Sequence, residues 1–121
     1  MRDDAMQIIR AALRDVMPGP AVAEALGRIK LRGDGRRIVI AVGKAAWEMA
    51  RAALDVLRGR VDGGVVITKY GHAKGPLDPL VICEAGHPVP DGNGFRATAR
   101  TEDGRDVLEK DISFRREFLG E

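Results

Sequence analysis

The run Ile38-Val39-Ile40-Ala41-Val42 constrains the fold more than any other stretch of this 121-residue chain. Its residues are all apolar, most of them are β-branched, and apolar positions do not alternate with polar ones. A strand with this pattern is typical of a parallel sheet that is covered by helices on both faces. We therefore expect Ile38–Val42 to be a buried strand of an α/β protein.

The residues after this run predict a helix and two further strands. Apolar residues recur at helical spacing from about Lys44 to Arg58, and a short apolar run follows at Val65–Ile67. A strand, helix, strand unit has a right-handed crossover, which makes its two strands parallel. A third strand is predicted at Leu80–Glu84, after a long loop rich in glycine and proline. We expect it to be parallel too, with a long antiparallel return as the alternative.

Two helices are predicted before the first strand, over about residues 4–17 and over Ala21–Ile29, with Pro18-Gly19-Pro20 between them. Another helix is predicted to begin near Asn93, with Asp91 as its N-cap. Trp47, Met49 and Met6 are assigned to packing faces of these helices. The expected fold is therefore a three-layer, Rossmann-like α/β fold with a small, mostly parallel sheet.

The end of the chain departs from this pattern. Residues 101–121 are rich in charge and offer little apolar surface to bury. The expected organisation is an α/β domain over residues 1–100 and a charged tail over residues 101–121.

Composition favours a folded globular domain. Hydrophobic residues make up 45% of the chain and charged residues 31%, which is ordinary for a globular domain. The net charge is +2 and the basic residues are scattered, so nucleic-acid binding is not predicted. No signal peptide or membrane span is indicated. The single cysteine, Cys83, is expected to be a buried thiol, which fits a reducing cytoplasm.

Three short segments follow the predicted strands and carry polar residues. They are Val42-Gly43-Lys44-Ala45-Ala46, Thr68-Lys69-Tyr70-Gly71-His72 and Glu84-Ala85-Gly86-His87-Pro88-Val89-Pro90-Asp91. Open α/β sheets bind ligands beyond the carboxyl ends of their strands, so we expect these segments to form one site. Their residue types predict a site for a phosphorylated or carboxylated small molecule.

Lys44 is the principal candidate for catalysis. It stands where a strand turns through Gly43 into a helix, and a cation is unfavourable at a helix N-terminus unless an anion shares the site. Helix N-terminal amides and an ammonium group can bind the same anion, and the small residue Ala45 leaves the backbone open to close approach. The alternative is an exposed lysine that merely starts the helix.

Lys69, His72 and His87 are the further candidates for binding substrate or phosphate. An ammonium and two imidazoles at one sheet edge could neutralise a transferring phosphoryl group. The alternatives are surface loop residues for the first two and a rigid turn for His87. His72, His87 and Cys83 have no recognisable metal-ligand spacing, so no metal site is predicted. Glu84 ends a strand, but a lone carboxylate is weak evidence for a catalytic role.

The three segments together resemble the type 2 glycerate kinase family, whose members are also labelled hydroxypyruvate reductases in older naming. The resemblance runs from about Ala5 to Thr98. It implies transfer of the ATP γ-phosphoryl group to the 2-hydroxyl of D-glycerate, giving 2-phosphoglycerate, with ATP and Mg²⁺ as cofactors. It also implies a two-domain enzyme with the site in its cleft, and the family's motif lysine maps onto Lys44.

Family members are several times longer than this chain, and residues 101–121 lack the apolar strand and the Ser-Gly-Gly-Gly-Ser type loop expected there. The chain is therefore expected to be an N-terminal part of a two-domain enzyme, inactive alone, with the missing C-terminal domain as its partner. The alternative is a non-catalytic anion-binding or interaction domain that keeps only the fold. An NAD(P)-linked reductase is disfavoured because the G-x-G-x-x-G fingerprint is absent.

Overall fold

A computed structural model of the protein describes residues 1–103 and gives four helices and three strands in this part of the chain. The elements in chain order are α1 Arg2–Asp15, α2 Pro18–Arg28, β1 Ile38–Val42, α3 Ala46–Leu57, β2 Gly63–Lys69, β3 Leu80–Ala85 and α4 Gly92–Asp103. Apart from its first three residues, the predicted charged tail lies outside the described residues. Within residues 1–103, no helix has the length and apolar character needed to cross a membrane.

The three strands form one parallel sheet in the order β1-β2-β3. Ile40 is aligned with Val65, and Val65 with Val81. The predicted α/β fold with a small parallel sheet is confirmed, including the parallel direction of the third strand. The first strand has the predicted bounds, whereas β2 is longer than predicted because the glycines before it and Thr68-Lys69 after it belong to the ladder.

One face of the sheet packs against α3, and we call it the α3 face. Aligned residues of neighbouring strands share a face, so Val39, Ala41 and Val66 lie on this side. Val66 belongs to a core cluster, and Val39 and Ala41 pack against it. Most members of this cluster are residues of α3. The cluster contains Ala46, Trp47, Ala50, Leu57, Val61, Val66 and Leu80.

The opposite face packs against α4, and we call it the α4 face. Val65 is fully buried there and Ala97 of α4 is 2% exposed. Arg100 of α4 contacts the Cys83 sulfur at 3.3 Å. Cys83 is half-buried, not the fully buried thiol that was expected.

The expectation that β1 is covered on both faces is wrong for the described residues. Ile38, Ile40 and Val42 lie on the α4 face and are 38%, 56% and 68% exposed. The physical reason is that α4 packs mainly against β2 and β3. The apolar α4 face of β1 is therefore open in residues 1–103.

Two predictions for the helices are corrected by the structure. Helix α2 begins at Pro18, whereas it was predicted to begin at Ala21. Proline fits the first turn of a helix, where its missing N–H is not needed. Met6 and Met49 are 41% and 40% exposed and so are not core residues. Met6 is exposed because α1 buries no residue at all within the described part of the chain. Trp47 is 8% exposed, and its assignment to a packing face is confirmed.

Candidate functional site

A cavity of about 110 Å³ opens where the carboxyl ends of the three strands meet. Of the predicted site residues, Gly43, Lys44, Lys69 and His87 line it, whereas Ala45 and His72 do not. The complete lining is Val42, Gly43, Lys44, Ile67, Thr68, Lys69, Ala85, Gly86 and His87. All three segments singled out in the sequence thus contribute to one cavity.

The turn that carries Lys44 depends on Gly43. The Gly43 N–H donates to the Ile67 carbonyl at 2.9 Å and so continues the ladder between β1 and β2. Gly43 has a φ of 125°, a conformation that side chains with a Cβ rarely adopt. Helix α3 begins at Ala46 with Ala45 as its N-cap, and not at Lys44 as predicted, because the Ala46 N–H closes the turn on the Gly43 carbonyl. Lys44 therefore lies in the turn before the helix.

The main chain of Lys44 is held by the neighbouring segment. The Thr68 hydroxyl, on a residue only 2% exposed, donates to the Lys44 carbonyl at 3.5 Å. Nδ1 of His72 lies 3.1 Å from the same oxygen. His72 therefore contacts the turn that presents Lys44 and does not reach the cavity itself.

Several contacts hold the loop of residues 70–79 in place. The Trp47 indole N–H donates to the Gly75 carbonyl at 2.8 Å, and the Ala73 N–H donates to Oε1 of Glu84 at 3.1 Å. Lys74 forms an ion pair with Glu48, and its ammonium lies 5.9 Å from the centre of the Trp47 ring. Glu84 thus positions this loop, and its carboxylate is not among the groups that line the cavity.

The turn that carries His87 is fixed by Asp91. A Cβ on Gly86 would lie 2.5 Å from the Val89 carbonyl, so the turn is too tight for a larger residue. Oδ1 of Asp91 accepts from the Gly94 N–H at 2.9 Å, which confirms Asp91 as the cap of the last helix. The Tyr70 hydroxyl donates to Oδ2 of Asp91 at 2.6 Å.

The hydrogen bond between Tyr70 and Asp91 shifts the pKa of both groups, and the sequence did not predict it. It lowers the pKa of the Asp91 carboxyl, with the Gly94 N–H as a second cause, and it raises the pKa of the Tyr70 phenol. The bond ties the segment after β2 to the turn after β3. Spacing alone gives no signal for it, because the two residues are 21 positions apart and meet only in the folded sheet.

Two lysines bring positive charge to the cavity. Within the described part of the chain, neither Lys44 nor Lys69 forms an ion pair. Pockets for whole drug-sized ligands span roughly 300–1,000 Å³, so a cavity of about 110 Å³ accommodates a single carboxylate or phosphoryl group. No group of three or more His, Cys, Asp or Glu side chains suited to a metal ion is present among residues 1–103.

The fold and the cavity define a three-layer α/β domain with a cationic cavity at the carboxyl ends of its parallel strands. A family described as "Domain of unknown function (DUF4147)" matches residues 4–113. The chain belongs to this family.

Individual relatives are similar to the chain over most of its length. D-glycerate 2-kinase of Thermotoga maritima is 49% identical over 96 residues, which are 79% of this chain and 22% of that protein. A protein of Agrobacterium vitis named as a putative hydroxypyruvate reductase is 51% identical over 67 residues, 54% of this chain and 17% of its own length. The crystal structure of glycerate kinase from Thermotoga maritima superposes with a TM-score of 0.70 at 46% identity, covering 81% of this chain and 23% of that one.

These comparisons confirm the resemblance to the type 2 glycerate kinases, and they confirm that the described fold is part of a glycerate kinase domain. The chain spans about a fifth of the length of the curated relatives it matches. It therefore corresponds to a fragment of those proteins.

Proposed function

We propose that this chain is the N-terminal part of a glycerate 2-kinase, which transfers the γ-phosphoryl group of ATP to D-glycerate and gives 2-phosphoglycerate. The observation that carries the proposal is the cavity at the strand ends, which Lys44 and Lys69 line without an ion pair to any carboxylate of residues 1–103. The relatives named as glycerate kinases supply the reaction.

In this proposal Lys44 neutralises an anionic group of the reactants. Phosphoryl transfer depends on positioning and on stabilising negative charge more than on covalent chemistry by the protein. Lys69 and His87 stand at the other strand ends and add donors to the same cavity. Gly43 and Gly86 leave the main chain open beside them. His72 acts indirectly, by contacting the turn that presents Lys44, and Ala45 is the N-cap of the helix after that turn.

The size of the cavity limits what residues 1–103 bind. A carboxylate or one phosphoryl group fits, whereas a whole nucleotide needs further walls, which we assign to the C-terminal domain of a longer enzyme. Mg²⁺ is usually bound through one or two carboxylates together with substrate phosphates, so we assign its binding to the complete enzyme with its nucleotide. We therefore propose that the isolated chain is inactive and that cytoplasmic activity requires both domains.

Anion binding by the 121-residue chain tests the role of Lys44. Amide chemical shifts are followed by NMR during titration with D-glycerate, 2-phosphoglycerate and inorganic phosphate. We expect shifts at Gly43, Lys69 and Gly86, and Lys44→Met is expected to weaken binding at least about tenfold, because it removes the cation that meets the anion. Lys74→Met is the matched control, since Lys74 pairs with Glu48 and does not line the cavity.

Activity is tested in a chimera in which this chain replaces the matching region of the Thermotoga maritima enzyme. A coupled assay of ADP release with glycerate should detect turnover, and Lys44→Met should lower kcat by roughly 10²–10³-fold, as for other donors that stabilise transition-state charge. Full activity of the Lys44→Met chimera would refute the catalytic assignment. Anion binding without turnover would favour the non-catalytic alternative, and NADH oxidation with hydroxypyruvate would favour a reductase.

A further inference from the structure

The Asp91 carboxylate is the point at which the segments after β2 and β3 meet. Its Oδ2 accepts from the Tyr70 hydroxyl at 2.6 Å, and its Oδ1 accepts from the Gly94 N–H at 2.9 Å. The Tyr70 hydroxyl accepts in turn from Nδ2 of Asn93 at 2.7 Å. Both carboxylate oxygens therefore have a donor, and the phenol oxygen both donates and accepts. We call Tyr70, Asp91 and Asn93 the turn clamp.

The turn clamp reaches the cavity wall through Gly86. This residue lines the cavity, and a Cβ at its position would lie 3.1 Å from Oδ2 of Asp91. The Gly86 N–H also contributes to lowering the pKa of the Asp91 carboxyl, after the Tyr70 hydroxyl and the Gly94 N–H. The carboxylate thus stands directly behind the wall. It closes the turn from Gly86 to Asp91, whose first residue after Gly86 is His87.

Tyr70 connects this turn to Lys69. Its N–H donates to the Ala85 carbonyl at 3.3 Å, next to the last aligned pair of the ladder, which is Lys69 with Ala85. Its hydroxyl reaches Asp91 at the far end of the turn. Tyr70 is therefore attached to the segment after β3 at two points, one before His87 and one after it. The two attachments limit how far the Lys69 and His87 sides of the cavity move apart.

The turn clamp lies outside the core of the described residues. Tyr70 is 45% exposed, and neither Tyr70 nor Asp91 belongs to the core cluster on the α3 face or lines the cavity. Asp91 caps α4, but asparagine caps a helix as well as aspartate does, so capping alone does not require a carboxylate. What the carboxylate and the phenol order is the turn that carries Gly86 and His87.

We propose that Tyr70 and Asp91 are positioning residues of the candidate site, which hold Gly86 and His87 in place before an anion binds. Groups that are already ordered bind a ligand more tightly, because less conformational entropy is lost on binding. The anion, a carboxylate or one phosphoryl group, is the one assigned by the proposed function, and in this respect the inference rests on that function. The order of the turn is a property of the chain without ligand and does not depend on phosphoryl transfer.

The test measures anion binding by the 121-residue chain and its variants, by NMR titration with inorganic phosphate and with 2-phosphoglycerate. Tyr70→Phe keeps the ring, removes the hydroxyl and should weaken binding at least about threefold. Thr98→Val is the matched control, because it removes an exposed hydroxyl that donates to the Gly94 carbonyl and belongs neither to the turn clamp nor to the cavity. Urea denaturation of each variant checks that binding is compared between folded proteins.

Asp91→Asn distinguishes three roles of this carboxylate by the sign of its effect on binding. A carboxylate behind the cavity wall repels a bound anion, so loss of its charge alone would strengthen binding. A role in capping alone would leave binding unchanged. A positioning role predicts weaker binding, because Nδ2 of asparagine does not accept from the Tyr70 hydroxyl. Asp55→Asn is the matched control, since it removes the same charge on α3, where Asp55 pairs with Arg51.

Two further readouts need no ligand. Backbone relaxation by NMR should show order parameters at His87 and Val89 that fall from about 0.85 toward about 0.6 in Tyr70→Phe and in Asp91→Asn. Tyr70 is the only tyrosine in the chain, so the absorbance of its phenolate reports its pKa directly. The pKa of this phenol should fall in Asp91→Asn, because the carboxylate that accepts from it and raises its pKa is gone.

The two substitutions combined should weaken binding by the same factor as either alone, to within about twofold, because both break one bond. The inference is overturned if the order parameters of the turn stay unchanged, if folded Tyr70→Phe binds phosphate normally, or if Asp91→Asn binds it equally or more tightly. Unchanged binding by these variants overturns this inference alone. No anion binding by the unmodified chain overturns it together with the proposed anion site.

Discussion

Replacing Trp47 by Phe tests whether this side chain attaches the loop of residues 70–79 to the core. Trp47 is the only tryptophan in the chain, is 8% exposed and belongs to the core cluster on the α3 face. Its indole N–H donates to the Gly75 carbonyl at 2.8 Å. Phenylalanine keeps an aromatic ring in the core but removes this donor and the outer part of the indole.

The expected loss of stability follows from two terms. The hydrogen bond contributes about 1 kcal/mol, and Gly75 is exposed, so water can satisfy its carbonyl in the variant. Removing two buried ring carbons costs about 1.6 kcal/mol at about 0.8 kcal/mol each. The free energy of unfolding should therefore fall by roughly 2–3 kcal/mol, which lowers Tm by roughly 10–20 °C in a domain of this size.

Urea denaturation followed by far-UV circular dichroism measures this change in both proteins, since the variant has no tryptophan fluorescence. Lys74→Met is the control, because it removes the exposed cation 5.9 Å from the ring and should cost less than about 1 kcal/mol. Amide exchange should also accelerate in residues 70–79 of the Trp47→Phe variant. A loss below about 0.5 kcal/mol, with unchanged exchange in the loop, would refute the anchoring role.

Two further predictions concern a carboxylate and a glycine. Because the Tyr70 hydroxyl and the Gly94 N–H lower the pKa of Asp91, its contribution to stability is present above its unfolded pKa of about 3.9 and is lost as the pH falls through the folded value. Asp91→Asn should therefore flatten the decline in unfolding free energy between about pH 5 and pH 2, and an unchanged pH profile would contradict this. Gly64→Ala should cost about 3 kcal/mol or more in urea denaturation, because the added Cβ would lie 2.0 Å from the Val39 carbonyl. Gly27→Ala, with open space around it, is the control, and equal stability of the two variants would be inconsistent with the close approach.

The sheet and the location of the cavity were predictable because short-range pattern determines both. The run Ile38–Val42 is short and rich in β-branched residues, which favours a strand over a helix. Turn residues bound each strand, so the strand ends were predicted to within a few residues. Once the strands are parallel, the polar residues after them must share one edge. Lys44, Lys69 and His87 lie together for this reason.

Contacts between distant segments could not be predicted in the same way. The bond between Trp47 and Gly75 joins residues 28 positions apart, and its existence depends on the path of a loop with no regular structure. His72 was assigned to the cavity because it belongs to the right segment, yet the loop turns its ring to the Lys44 carbonyl instead. The positions of the three segments therefore predicted where the site lies. They did not predict which side chains of each segment line the cavity.

The prediction that β1 is buried on both faces is wrong, and the reason is informative. Apolar residues on both sides of a strand indicate coverage on both sides, yet Ile40 and Val42 are 56% and 68% exposed in the described residues. Exposed β-branched residues on an unpaired edge favour aggregation, so such a sequence is costly unless something covers it. Within residues 1–103 this edge is unpaired, and the apolar groove under α2 runs beside it. The apolar run of β1 thus has the sequence of a central strand, although β1 lies at the edge of the sheet within the described residues.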